Sequence, residues 1–99
     1  MEQRSNVKYM YVYAFYDKIN DQFYVGLTND MKRRSTQHLR GNGHTTSRFK
    51  SLQQIFYEWY LSNKDARRRE KYLKTSKGKK TLRLMLKESL KEMKSCPVV

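Results

Sequence analysis

The spacing of hydrophobic and polar positions changes several times along this 99-residue chain. Residues 8–16, KYMYVYAFY, are almost wholly aromatic or apolar, which predicts a β-strand. The polar run Asp17-Lys18-Ile19-Asn20-Asp21 predicts a turn. Phe23-Tyr24-Val25-Gly26-Leu27 then predicts a second strand that closes a hairpin. A turn symmetric about Lys18 and Ile19 sets Tyr13 directly across from Tyr24, their Cβ atoms about 5 Å apart on one face. Asn29 or Asp30 offers a side-chain acceptor to the first turn of a helix over 31–40, MKRRSTQHLR, and Gly41 suits its left-handed C-terminal cap. Residues 41–50, GNGHTTSRFK, predict a polar loop, and 52–60, LQQIFYEWY, a third strand. Ser62-Asn63-Lys64-Asp65 has the form of a capping box with Asp in place of Glu, and it opens a helix of about 63–75. Ser76-Lys77-Gly78-Lys79-Lys80 reads as a break. A last amphipathic helix over about 81–94 puts Leu82, Leu86, Leu90 and Met93 on one stripe, followed by a frayed tail. The order is ββαβαα: an α+β fold, a small three-stranded antiparallel sheet flanked by helices.

Length and charge narrow the picture. Ninety-nine residues fit a single domain, with its core over about 8–94, and a chain of this size buries roughly 60–70% of its unfolded surface. Lys and Arg number 22 against 9 Asp and Glu, a net charge of +13. Solubility does not require one sign of charge, so a sustained positive excess points to a polyanionic partner, nucleic acid first. A membrane surface would need a basic amphipathic helix with a large apolar face, and only the C-terminal segment approaches that. One cysteine, Cys96, excludes an intrachain disulfide and a cysteine-rich zinc site. No apolar run reaches the roughly 20 residues of a membrane-spanning helix, and the first residues lack a signal-peptide core, so a cytoplasmic location is expected.

Three features carry candidate chemistry. Arg34 and His38 are four apart on the first helix and share a face near the seam between core and solvent, whereas Lys32, Arg33 and Arg40 read as a solvated basic face. Glu70 lies four after Ala66 and three before Leu73, on the stripe of the second helix that should face inward. A carboxylate there must be paired with a nearby arginine, such as Arg34, or bound to a cation. A single acid would leave a divalent metal most of its waters, which suits Mg²⁺. Among eight tyrosines most are structural, but Tyr13 and Tyr24 near Arg34 form a phenol pair able to act on a metal-bound water. Arg33, His44, Arg48, Lys77, Lys79 and Lys80 are candidate contacts to a phosphate backbone. His38 and His44, six apart with no cysteine near, make a poor zinc site.

With these residues in place the chain resembles the GIY-YIG nuclease family, most of all its small stand-alone bacterial members, which are related to the endonuclease domain of nucleotide excision repair. Tyr11-Val12-Tyr13 looks like the first signature element and Tyr24-Val25-Gly26 like the second. Arg34 follows Tyr24 by ten positions, His38 follows Arg34 by four, and Glu70 falls at the acidic position of the later helix. Tyr11 stands where the first element usually has glycine, no lysine follows Gly26, and no asparagine occurs after Asn63. The resemblance implies hydrolysis of DNA phosphodiester bonds with one divalent cation, Mg²⁺ or Mn²⁺, held by Glu70. It implies that Tyr24 or Tyr13 activates water, that Arg34 neutralises charge on the phosphoryl group, and that His38 relays a proton or bridges tyrosine and phosphate. DNA is the expected partner, with RNA also open. The small size leaves room for an oligomer or a protein partner that confers specificity. The alternative is a non-catalytic nucleic-acid-binding module on the same scaffold. A structural subunit of a ribonucleoprotein ranks last, because it explains neither the tyrosines nor Glu70.

Overall fold

A computed structural model describes residues 9–40, with side chains as far as residue 36, and residues 52–95. Strand β1 (Met10–Asp17) forms the centre of a three-stranded sheet of order β2-β1-β3, flanked by β2 (Gln22–Thr28) and β3 (Leu52–Tyr60), both antiparallel to it. Helix α1 (Met31–Arg40) follows β2, and α2 (Asn63–Leu73), α3 (Ser76–Met85) and α4 (Lys87–Ser95) follow β3. The α+β class and the expected order hold, with the last helical unit divided in two.

Successive strand residues face opposite sides of a sheet, so β1 builds two cores. Val12, Ala14 and Tyr16 join Phe23, Ala66, Leu73, Leu82 and Leu90 in the main apolar core under α2, α3 and α4. Tyr13 and Phe15 join Met31 of α1 on the other face, with Tyr11, Tyr24 and Leu52 packed against them. Strand β3 is bulged opposite Ala14 and Phe15: Ala14 pairs with Phe56 and Phe15 with Gln54, leaving Ile55 as the extra residue. Ile55 and Phe56 therefore both pack against the main core, although they are consecutive.

The hairpin register differs from the sequence expectation. Tyr13 pairs with Gly26 and Phe15 with Tyr24, because Asp17 extends β1 to pair with Gln22 and the loop runs from residue 18 to 21. Asp17 holds that loop. Its Oδ1 accepts the Ile19 and Asn20 backbone N–H groups at 3.0 and 3.1 Å, and its Oδ2 accepts the Asn20 amide at 2.7 Å. Asp21 closes the loop in the left-handed region, φ 56°, which short polar side chains tolerate best after glycine.

The C-terminal half also departs from expectation. Ser62 occupies the N-cap of α2, but its side chain makes no capping bond, and Asp65 pairs with Arg68 instead, so the capping box does not form. The stretch 76–80 is helical rather than a break. The Thr75 hydroxyl starts α3 by accepting from the Gly78 N–H at 3.0 Å, and it donates to the Tyr72 carbonyl at 2.6 Å at the end of α2. Gly78 fits there because a Cβ would run into the Tyr72 carbonyl and the Leu73 backbone. The helical unit expected over 81–94 breaks at Leu86, yet Leu82, Leu86, Leu90 and Met93 keep their common stripe on the main core.

Candidate functional site

The site grows from one pairing. Tyr13 stands opposite Gly26, and its ring lies across that glycine so closely that a Cβ on Gly26 would overlap the Tyr13 hydroxyl and ring. Lacking a side chain, Gly26 lets the phenol cross β2 toward the helix that follows it. That helix is held at its start by Asp30, whose Oδ1 accepts the Arg33 N–H at 2.9 Å, while Thr28 Oγ1 accepts the Asp30 N–H at 3.1 Å. Asp30 is thus the cap, not Asn29. One turn in, Arg34 Nε donates to Tyr13 Oη at 2.9 Å, and the guanidinium carbon lies 5.6 Å from the centre of the tyrosine ring. Tyr13 is buried, 6% exposed, while Arg34 is exposed. The two terminal nitrogens of the guanidinium lie outside that bond, and a guanidinium is suited to bidentate contact with phosphate.

Tyr24 sits on the same face, two residues before Gly26, half-buried, with its hydroxyl donating a long 3.4 Å bond to Gln22 Oε1. The two phenols are therefore diagonal neighbours rather than directly opposed. Helix α1 is fixed to the sheet by Met31, which packs with Tyr13 and Phe15, and by Ser35, whose hydroxyl donates to Gln54 Oε1 at 2.5 Å.

Glu70 comes from the other layer. Ala66 and Leu73, its neighbours on the inner stripe, are fully buried in the main core, and the Glu70 side chain is 21% exposed. Its Oε2 pairs with Lys74 Nζ at 2.8 Å, one turn along the same helix, so Lys74 rather than Arg34 is its partner. Among the described residues no group of three or more His, Cys, Asp or Glu side chains clusters as a metal cage.

The remaining candidates divide. Arg33 is exposed, in a loose 3.7 Å contact with Asp30. Lys77 and Lys80 are exposed along α3, not on a loop. Lys79 is half-buried, and its ammonium donates to the Phe23 carbonyl at 3.1 Å, where it anchors α3 to β2. Arg83 adds to that anchor, donating to Asp21 Oδ1 at 3.0 Å and to the Asp21 carbonyl at 2.9 Å. The His38 side chain, His44 and Arg48 lie outside the described residues.

Tyr57 and Trp59 did not stand out in the sequence, yet they lie on the face that carries Tyr13, 52% and 56% exposed. The signal for them was the period-two alternation in YEWY, which matches that of β1.

The GIY-YIG catalytic domain matches residues 9–83, from before β1 into α3. The chain is 29% identical over 83 residues to the UPF0213 protein CPE1444 of Clostridium perfringens (strain 13 / Type A), covering 83% of this chain and 88% of that protein. No solved structure matches. Among the described residues no helix is long and apolar enough to cross a membrane. The matched domain is one of nucleases, which act on DNA and use divalent metal ions. The match spans the elements that carry Tyr13, Tyr24, Arg34 and Glu70, and the chain belongs to the GIY-YIG family.

Proposed function

We propose that this protein is an endonuclease that hydrolyses DNA phosphodiester bonds, with Tyr13, Tyr24, Arg34, His38 and Glu70 as its catalytic residues. The observation that carries the reading is the Arg34–Tyr13 bond, which sets a guanidinium beside a phenol on one face of the sheet. Arg34 turns its terminal nitrogens to the scissile phosphate and stabilises the charge that develops there as water attacks phosphorus. Tyr24 or Tyr13 orients that water and takes its proton while giving up its own hydroxyl proton, and His38 passes that proton on or links tyrosine to phosphate. The phosphorus–oxygen bond to the 3′-oxygen breaks as the new one forms, leaving a 5′-phosphate and a 3′-hydroxyl once the leaving oxygen is protonated.

Glu70 suits a divalent cation in one respect: it is a partly enclosed carboxylate, a hard oxygen ligand, with no cage of further acids among the described residues. A cation held by this side chain, Mg²⁺ or Mn²⁺, would keep most of its waters and would supply charge to the phosphate and leaving oxygen. Arg33, His44, Arg48, Lys77, Lys79 and Lys80 belong to the positive surface that holds the DNA backbone. Lys79 contributes through its anchoring of α3.

The Glu70–Lys74 ion pair favours a second reading, a DNA-binding module without catalysis, since the ammonium already neutralises the carboxylate. A cleavage panel with Mg²⁺ and Mn²⁺ on single-stranded, duplex and branched DNA separates the two. Wild-type protein is expected to cut. Arg34→Ala is expected to lose about 10²–10³-fold in rate, and Glu70→Ala to lose cleavage while remaining folded by circular dichroism. Equal digestion by wild type and Glu70→Ala would overturn the assignment and leave the binding module.

A further inference from the structure

We infer that the open aromatic strip on the Tyr13 face of the sheet is a stacking platform for unpaired bases of the DNA strand whose phosphate lies at Arg34. The inference rests on the nuclease reading for that phosphate and on separate geometry for the bases. Tyr9 packs edge-on against Trp59 with ring centres 4.6 Å apart, and Tyr11 against Tyr57 at 5.8 Å. Trp59 and Tyr57 stand opposite Tyr11 and Tyr13 in the register, so all these rings share one face. Helix α1 packs on Phe15 and Gln54, farther along that face, and does not bury Trp59 and Tyr57. The row therefore runs from the exposed rings to Tyr13 and ends at the Arg34 guanidinium.

Three observations select the ligand. Large rings left half exposed give up burial free energy that the main core takes up elsewhere. Tyr11 adds a further ring to the row, edge-on to Tyr57. The chain's net charge of +13 matches a polyanion rather than a second copy of itself. Same-face residues on a strand recur about every 7 Å. A duplex stacks its bases on one another at about 3.4 Å and offers no free π-faces, whereas an extended single strand presents each base to a ring. Stacking of that kind is worth about 1–3 kcal/mol per base in single-strand binders and tolerates any sequence.

Trp59 is the only tryptophan, so its fluorescence reports on the strip directly. The full chain, in EDTA so that nothing is cut, is titrated with oligo(dT), an abasic strand of the same length and charge, and a duplex. Oligo(dT) is expected to quench Trp59 and to bind about tenfold tighter than the abasic strand. Tyr57→Ala is expected to remove most of that preference and to leave duplex binding unchanged. Equal binding of oligo(dT) and the abasic strand, quenching by duplex to the same degree, or an unchanged preference in Tyr57→Ala would overturn the inference. So would sedimentation showing a dimer with Trp59 at its interface. Pairing the titration with the Mg²⁺ and Mn²⁺ cleavage panel separates the two proposals: base-dependent quenching with no cleavage by the wild type in that panel sinks the nuclease alone, and cleavage without base-dependent quenching sinks the platform alone.

Discussion

Tyr16 and Tyr57 stand on opposite faces of one small sheet. Tyr16 is fully buried; its ring packs against Phe23 at 5.2 Å, and its hydroxyl donates to Asp21 Oδ1 at 2.5 Å. Tyr57 is half exposed, and its ring meets that of Tyr11 edge-on at 5.8 Å within the aromatic strip that reaches solvent. On the first face the aromatic ring is a core residue with its polar end satisfied, as a buried phenol requires. On the second, among the described residues, helix α1 covers Tyr13 and Phe15 while Tyr57, Trp59 and the Arg34 guanidinium stay exposed. The closed face, covered by three helices and tied by Lys79 to β2 and by Arg83 to Asp21 of the hairpin loop, holds the larger apolar core.

That division is testable, beginning with the largest effect. Leu82→Ala removes a fully buried side chain from the closed face and is expected to cost about 2–5 kcal/mol in denaturant unfolding. A cost under about 1 kcal/mol would mean that this face is not the stabilising one. Gly26→Ala acts on the open face: the added methyl displaces the Tyr13 hydroxyl from Arg34. It is expected to lower kcat/KM by about 10²-fold, the order expected of a misplacement near 1 Å, with far less effect on unfolding than Leu82→Ala. Full activity in a folded Gly26→Ala protein would show that the Arg34–Tyr13 bond is not used.

The third prediction uses pH. Burial first, and then the neighbouring Asp21 carboxylate, push the Tyr16 phenol up to about 12. The Tyr60 phenol is likewise pushed up to about 12, by burial and then by Glu58, whose Oε1 accepts a hydrogen bond from its hydroxyl at 2.6 Å. In the unfolded chain a phenol ionises near pH 10. The contribution of these two groups is therefore complete below about pH 10 and is lost as pH rises toward 12. Stability is expected to fall by roughly 1–3 kcal/mol across that window, and Tyr16→Phe should flatten the fall. A flat profile in the wild-type protein would place these phenols in contact with water.

Much of this molecule could be read directly from its residues. Strand β3 over 52–60 and helix α1 over 31–40 lie where composition and spacing put them, and the Leu82–Met93 stripe packs where its period points. Local patterns decide such features because they depend on neighbours a few residues apart. The hairpin register was not legible in the same way: shifting the loop by one residue re-pairs Tyr13 with Gly26, and the Asp17 side chain that holds the shifted loop has no unique sequence mark. The helix at 76–80 was hidden for a similar reason, since Gly78 reads as a breaker until α2 presses its backbone against it.

By itself, the sequence determined the element order, the two signature triplets, the spacing to Arg34 and Glu70, and the charge that calls for a polyanion. Only the tertiary structure decided that Arg34 reaches Tyr13 over a glycine, that Lys79 serves the fold, and that Tyr57 and Trp59 stay open. The physical reason is range: periodicity and capping act within a turn or two of chain, whereas these contacts join residues brought together by packing two layers onto one sheet.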